Sequence, residues 1–267
     1  MLEAERHRLI KKFVDERSIV SLSDLVEMLG ASEATVRRDI SALAERGEIN
    51  RVRGGAESVR PRHEVHLVGS PFNLSQRVAV AEKRAIARAA AKFIEPGDSL
   101  IICGGTTTHG LVEFLPPDGL DIMTNSVPIV TQLLATSHHR VTVPGGTIYR
   151  EQNIVLSPFD DDASNHFWAK TLFTGCFGIN HFGMMEADPL IVHSQMRLLR
   201  RCERLVLMAD GRKLRQRSSM VVAGLERINA LITDDGADEE ELERLRSSGV
   251  RIVQAVVEDH DRLAETG

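Results

Sequence analysis

The chain predicts an α/β protein: an N-terminal winged helix-turn-helix followed by a doubly wound, mostly parallel Rossmann-like domain. Three observations carry that expectation. Residues 3 to 47 hold three helix-period segments, and only Gly30-Ala31 separates the second from the cap of the third. From Ala81 onward, short apolar runs alternate with amphipathic ones, as in βα units on a parallel sheet. The apolar runs end in Gly, Thr, Asn and Asp, at the carboxyl strand ends where such sheets bind ligands.

A length of 267 residues suits one small and one sizeable domain. The expected division is 1–58 for the head, 59–75 for a linker, 76–257 for the larger domain and 258–267 for a tail. The composition, 42% hydrophobic and 27% charged, is ordinary for a globular protein. No apolar run approaches the ~20 residues of a membrane span. The first residues, M-L-E-A-E-R-H-R, lack the apolar core of a signal peptide, so a cytoplasmic location with no membrane partner is expected. Cys103, Cys176 and Cys202 have no zinc or redox spacing and read as buried free thiols. Neither a cofactor nor a metal is expected.

The net charge of −5 does not itself suggest nucleic acid, but its distribution does. Between Thr35 and Arg62 there are seven arginines against four acids, so an acidic body carries a basic end.

Glu3 to Arg17 places Leu9, Ile10, Phe13 and Val14 on one helical face. Ser18-Ile19-Val20 suits a small strand. Ser21-Leu22-Ser23-Asp24 resembles a capping box and opens a second helix, which Gly30 ends with a left-handed residue. Ser32 then caps a third helix, and Glu33 complements its positive end. Val36, Ile40 and Leu43 form the buried stripe of that helix. Glu33, Thr35, Arg37, Arg38 and Ser41 are left outward, and with Ser32 they are the candidate DNA contacts. Two adjacent arginines near a capped helix start suit the phosphates and base edges of a major groove. After Gly47, Ile49 and Val52 alternate with polar residues up to Gly54-Gly55, which predicts a two-stranded wing. Arg51 and Arg53 on the wing are placed to reach phosphates or the minor groove. Trihelical units also serve protein contacts alone; the arginine pair and basic wing on one outward surface favour DNA.

These residues carry a family resemblance. S-E-A-T-V-R-R-D-I followed by L-A-E-R-G-E-I-N-R-V-R-G-G-A is similar to the winged helix-turn-helix of DeoR-type bacterial regulators over about residues 3 to 58. The resemblance places the helix-turn-helix proper at about Val20 to Asp39. Arg53 stands where many members carry His.

Glu57 to Ser75 contains Pro61, Gly69 and Pro71 with no sustained periodicity and reads as a connection between domains through which a signal reaches the head. His63 and His66 could form half of a metal site; without acid-rich or His-rich partners they read as exposed linker residues.

Ala81 to Ile94 is an alanine-rich helix ended by Pro96-Gly97. The buried strand Ser99 to Cys103 runs directly into Gly104-Gly105-Thr106-Thr107-Thr108, which opens another helix carrying His109. A Gly/Thr loop at a helix start offers N–H groups and hydroxyls to an anion, although a tight turn alone would also use it. The βα pattern repeats. Leu120 to Thr124 ends in Asn125-Ser126, with Pro128 opening a helix; Arg140 to Val143 ends in Pro144-Gly145-Gly146; Thr171 to Thr174 ends in Gly175. Asp188-Pro189 is a cap and first-turn pair for a helix to about Arg201. Leu205 to Ala209 ends in Asp210, with Lys213 close behind. Ala230 to Thr233, an acidic helix from Asp238 to Ser247, and Arg251 to Val257 complete the pattern. One pocket is expected to collect the strand-end groups: Gly104 to Thr108, His109, Thr124-Asn125-Ser126, Gly145-Gly146, Gly175, Asp210 and Lys213. Asp160-Asp161-Asp162 reads as a solvated loop in preference to a metal site.

This half also resembles the DeoR family, through E-K-R-A-I-A-R-A-A, P-G-D-S, C-G-G-T-T, T-N-S, G-G and D-G-R-K in the family's order. The resemblance implies a sensor domain related to sugar-phosphate isomerases and CoA transferases. Ile154 to Phe159 and W-A-K-T-L-F-T-G most resemble the branch that regulates L-ascorbate utilisation, which responds to a phosphorylated ascorbate. By that resemblance Gly105, Thr106 and Thr107 hold phosphate, Asn125 and Gly146 hold sugar, and Lys213 is a counter-charge. Gln195-Met196 replaces the Lys-Met of many members, and Cys103-Gly104 replaces Asp-Ser.

The expected function is a DNA-binding regulator, a repressor of a carbohydrate operon, binding operator DNA as a homodimer or homotetramer. Its effector would be a phosphorylated sugar or sugar acid, ascorbate-phosphate-like or a tetrose or pentose phosphate. The alternative is a sugar-phosphate isomerase-like enzyme with an appended head, using Glu186, Asp210 or His109 as acid or base; no coupled nucleophile and base is visible, so no enzymatic activity is expected. A scaffold without ligand fits poorly with so many polar strand-end groups.

Overall fold

The structure, a computed structural model, describes residues 3–17, 19–52, 54–59, 71–159, 161–258 and 261. Arg53, residues 60–70 with His63 and His66, Asp160 and most of the expected tail lie outside them. The chain divides into two compact units, Met1–His66 and Leu67–Gly267.

The first unit begins with α1 (Glu3–Arg17), β1 (Ile19–Ser21) and α2 (Leu22–Leu29). Ser21 caps α2 by accepting from the Asp24 N–H, and Gly30 ends it at φ 58°. α3 (Glu33–Glu45) follows with Ser32 as its cap. Ile10, Val14, Leu25, Val36, Ile40 and Leu43 are buried together, so the helical spacing in the sequence marks the core of this unit. β2 (Ile49–Val52) and β3 (Gly55–Ser58) complete it. The wing is a three-stranded antiparallel sheet ordered β1-β3-β2, not two-stranded, because Ile19–Ser21 pairs with the outer edge of β3.

The second unit opens with α4 (Phe72–Gln76) and α5 (Val80–Ala91). The latter ends three residues short of expectation, because Lys92, Phe93 and Ile94 close into turns before Pro96. β4 (Ser99–Ile102) leads into α6 (Thr106–Gly110), which tightens into a 3-10 turn at Leu111–Phe114. β5 (Asp121–Thr124), α7 (Val127–Thr136) and β6 (Arg140–Thr142) follow. A hairpin of β7 (Thr147–Tyr149) and β8 (Ile154–Leu156) precedes β9 (Ala169–Thr174). Then come β10 (Gly178–Asn180), β11 (Gly183–Glu186), α8 (Pro189–Leu199), β12 (Cys202–Met208) and β13 (Met220–Ala223). β14 (Ala230–Asp234), α9 (Glu239–Ser247) and β15 (Arg251–Ala255) end the sequence of elements.

Seven strands form one parallel sheet in the order β15-β14-β12-β9-β4-β5-β6. Both faces are covered, and the period of two along each strand shows it. Leu100 and Ile102 of β4 pack with α5 and α7 residues Ile86, Ile129 and Leu133. Ile101 and Cys103 point the other way, into a cluster with Leu198 of α8 and Leu242 of α9. The chain runs outward from β4 to β5 and β6, then returns to β9 on the opposite side of β4. The strand order therefore reverses between β4 and β9.

Further features depart from the sequence expectation, and α4 (Phe72–Gln76) begins inside the stretch 59–75 expected as a linker. β10, β11 and β13 form a separate antiparallel sheet, and β7–β8 a hairpin, in stretches to which no element was assigned from the sequence. Asp162 is not solvated: it caps a 3-10 turn by accepting from the Ser164 N–H and pairs with Arg197 at 2.8 Å. Burial alone would raise its pKa, but hydrogen bonds from Ser164 and the Arg197 guanidinium hold it below the usual carboxylate value.

Candidate functional site

In the first unit, the outward surface of α3 carries Glu33, Arg37 and Arg38 exposed and Thr35 and Ser41 half-buried. Arg37 donates to Glu33 at 2.6 Å, one helical turn away. The Ser32 hydroxyl is taken by the Thr35 N–H and hydroxyl, so this residue acts as a cap. Ser41 accepts from the Arg51 guanidinium at 3.2 Å, which joins wing to helix. Leu22, Arg37, Ile40, Arg51 and Gly54 line a shallow recess between them. Two cations thus flank one concave surface, an arrangement suited to a polyanionic backbone. Asp39 is 4% exposed and turned toward Arg6 of α1.

In the second unit, a cavity of about 370 Å3 opens at the carboxyl ends of the parallel strands. Cys103 to Thr107 line it from β4 and Gly175 to Phe177 from β9, so it lies at the reversal of strand order. Asn125 follows β5; Asp210, Arg212 and Lys213 follow β12.

Gly104, Gly105, Thr106, Thr107, Asn125, Gly175, Asp210 and Lys213 converge as expected. The Asn125 Oδ1 accepts from the Gly104 N–H at 2.8 Å, which fixes the loop and occupies that donor. A Cβ on Gly104 would fall 2.2 Å from Ile154 Cγ2, so glycine is what lets β8 close against the loop.

The other expected residues do not line the cavity. The Thr108 hydroxyl is fully buried and donates back to the Gly105 carbonyl. His109 packs edge-on against Phe72, ring centroids 5.6 Å apart, and burial lowers its pKa. The Thr124 hydroxyl accepts from the Ser126 N–H, and the Ser126 hydroxyl caps α7. Gly145 and Gly146 are exposed, and Gly146 serves the β7–β8 hairpin: at φ 141°, a Cβ would meet the Leu156 carbonyl at 2.4 Å. For Thr108, Thr124, Ser126 and Gly146 a local backbone group uses the residue that an effector was expected to use.

Charged and polar residues outside the expected effector set also line the cavity, among them Lys83 of α5, Arg212 after β12, Gln195 of α8 and Glu186 of β11, the last named above only as an acid or base for the enzyme alternative. Lys83 had a signal, since it lies on the buried stripe with Ile86, Ala87 and Ala90. It is 7% exposed and donates to the Ser75 carbonyl. Burial lowers its pKa to about 8, with Asp210 opposing the shift. Arg212 clasps Asp210, with its Nε donating at 2.7 Å. Lys213 Nζ donates to Gln216 Oε1 at 3.2 Å and lies 5.8 Å from the Phe177 ring centroid. Glu186 is raised to about 7 by burial, against a hydrogen bond from Gln195. Burial pushes the Cys103 thiol up to about 12 and raises Cys176 as well. Both therefore stay neutral and line the cavity as small apolar groups.

α6 is only five residues long and supplies little dipole. Cationic side chains reach the cavity from other elements: Lys83, Arg212 and Lys213 line it together with Gly105–Thr107 and with the carboxyl groups of Asp210 and Glu186. A buried ammonium lining the same cavity as a glycine-threonine loop suits an anion of phosphate size.

A winged helix-turn-helix head with a ligand-sized cavity in a doubly wound body defines a class, the ligand-sensing transcriptional regulators. Comparison with known proteins identifies the group within it. Residues 6–62 match the DeoR-like helix-turn-helix domain, and residues 78–235 match the DeoR C terminal sensor domain. The chain belongs to the DeoR family of transcriptional regulators. The HTH-type transcriptional regulator UlaR of Shigella dysenteriae serotype 1 is 33% identical over 258 residues, covering 95% of this chain and 100% of that protein. UlaR of Escherichia coli O9:H4 gives the same identity and coverage. Among solved structures, the full-length sorbitol operon regulator SorC from Klebsiella pneumoniae is 13% identical, with a TM-score of 0.42, covering 89% of this chain and 98% of that one. Among the described residues, no helix is long and apolar enough to cross a membrane.

Proposed function

We propose that this chain represses a carbohydrate catabolic operon and that a phosphorylated sugar or sugar acid in the switch-point cavity sets its operator affinity. The observation that carries this reading is that Lys83, Arg212 and Lys213 line one cavity with the Gly105–Thr107 loop. An ascorbate-phosphate-like compound or a tetrose or pentose phosphate has the size and charge for such a cavity. Residues 1–58 act as the head, with α3 in the major groove of double-stranded operator DNA and Arg37, Arg38 and Arg51 as its cations. Residues 76–257 act as the sensor. A two-fold operator calls for a homodimer or homotetramer, working in the cytoplasm beside the chromosome. The effector acts by population shift: it binds one arrangement better and weakens operator affinity by that difference. Titrating the protein on its own upstream DNA with phosphorylated sugars tests this; release of DNA is expected, and no response to any of them contradicts it.

A second reading, isomerase-like turnover, has one observation in its favour: a carboxyl near neutrality, Glu186, in a cavity. Against it, the two cavity thiols are held neutral and His109 packs away against Phe72. Incubation with D-ribose 5-phosphate, followed by NMR, is expected to return the compound unchanged; conversion would establish the enzyme.

A further inference from the structure

The cavity is chemically lopsided. Lys83, Arg212 and Lys213 donate to Ser75, Asp210 and Gln216 and are the groups assigned above to the anion; Lys213 acts on Glu186 through space, but none of the three hydrogen-bonds it among the described contacts. Glu186 reaches the cavity from β11 and Gln195 from α8, elements outside the parallel sheet. Gln195 is 7% exposed, and its Nε2 is shared between Thr174 Oγ1 at 3.3 Å and Glu186 Oε1 at 3.2 Å. Its Oε1 is buried and has no hydrogen-bond partner among the described residues. Interchanging the amide oxygen and nitrogen would still leave one amide atom unpartnered. A buried unfilled polar atom is costly, and the terminal amide torsion that would turn it toward a neighbour is soft.

We propose that Glu186 and Gln195 select the ligand by its non-phosphate end: they take a neutral, hydroxyl-bearing end and disfavour a second anionic group. This rests on the phosphate reading above and narrows it to monophosphorylated aldoses or polyols over phosphorylated acids and bisphosphates. A sugar hydroxyl both donates and accepts. One hydroxyl beside Glu186 can donate to its carboxylate, and a neighbouring one can fill the open amide position. Burial holds Glu186 near 7, so at neutral pH the carboxyl can also donate to a sugar oxygen. A ligand carboxylate at the same place would meet Glu186 as a like charge or force it to stay protonated.

The test is calorimetry on the full chain with inorganic phosphate, D-ribose 5-phosphate and 4-phospho-D-erythronate. Wild type should bind ribose 5-phosphate about tenfold or more tighter than inorganic phosphate, the worth of one or two hydrogen bonds, and tighter than the phosphorylated acid. The isosteric Glu186→Gln should erase the preference between ribose 5-phosphate and the phosphorylated acid, and inorganic phosphate should bind no more weakly than before. Gln195→Leu should weaken ribose 5-phosphate about tenfold with phosphate again unchanged. Retained phosphate binding shows that each variant is folded, and Glu186→Gln carries the test alone if Gln195→Leu does not fold. Three results overturn the proposal but leave the phosphate reading intact: ribose 5-phosphate no tighter than phosphate, the acid binding tightest, or variants that weaken phosphate and sugar phosphate alike. Failure of all three compounds to bind wild type removes the phosphate reading, and this proposal with it.

Discussion

Asp39 turns its carboxylate away from the outward surface of α3 and onto Arg6 of α1, whose Nε donates to Oδ2 at 2.7 Å. His7 Nε2 lies 3.1 Å from the other oxygen, and Arg46 donates to His7 Nδ1 at 3.0 Å. With Nδ1 accepting, Nε2 carries the proton and donates to Asp39. A helix whose outer surface is the one proposed to face DNA is thus pinned from behind by a buried charge.

Asp39→Asn keeps the shape and removes the charge. It should lower the stability of the head by about 1–3 kcal/mol, read by denaturant unfolding, because the hydrogen bonds it loses are charge-assisted and buried. Burial alone would raise the Asp39 pKa, yet the hydrogen bonds from Arg6 and His7 hold it below the usual carboxylate value. Its contribution is therefore complete above that usual value and is lost as pH falls through the depressed one. The gap between wild type and variant should close in acid; a gap independent of pH contradicts the assignment.

Arg38→Ala should weaken operator binding by about 1–3 kcal/mol if the side chain meets a base edge. Arg51→Ala should instead weaken all DNA sequences alike and flatten the salt dependence, as for a phosphate contact. Binding titrations at several salt concentrations separate the two. Unchanged affinity for both variants removes α3 and the wing from the interface.

The βα alternation was legible because strands buried on both faces read as unbroken apolar runs, as in Leu100-Ile101-Ile102 and Leu205 to Met208. The antiparallel sheet was not. β10, β11 and β13 are three or four residues long, and β11 pairs with β13 across more than thirty residues of intervening chain. The strand ends correctly marked where the cavity lies. They could not show which hydroxyls face it: Thr106 and Thr107 line it, while Thr108, Thr124 and Ser126 serve nearby backbone. Glu186 and Gln195 sit on elements whose placement only the tertiary fold decides.

Lys83→Met should reduce inorganic phosphate affinity about tenfold or more at pH 7, since a charge-assisted contact is lost. In wild type the same affinity should fall as pH rises through about 8, where the unliganded ammonium loses its proton. The Lys83 pKa lies below its ordinary 10.5, so its burial cost is complete below about 8 and is relieved as pH climbs toward 10.5. The methionine variant should accordingly be no less stable than wild type at pH 7 without ligand. A pH-independent phosphate affinity between 7 and 9 contradicts the role of Lys83.

Gly146→Ala tests whether that glycine touches effector or only shapes the hairpin. With φ at 141° and the Leu156 carbonyl 2.4 Å from the new Cβ, the variant should lose roughly 1–3 kcal/mol of stability. Ligand affinity of the folded fraction should stay near wild type. A selective loss of ligand binding at full stability would return Gly146 to the effector site.

The central claim joins the switch-point cavity to the head, and fluorescence anisotropy of the protein's own upstream DNA tests it most directly. Wild type, Thr106→Ala and Lys213→Ala are titrated onto labelled DNA with and without phosphorylated sugars. All three should bind the DNA equally well, and a phosphorylated sugar should release it from wild type alone. Release that persists in both variants, or no release from wild type, contradicts the account.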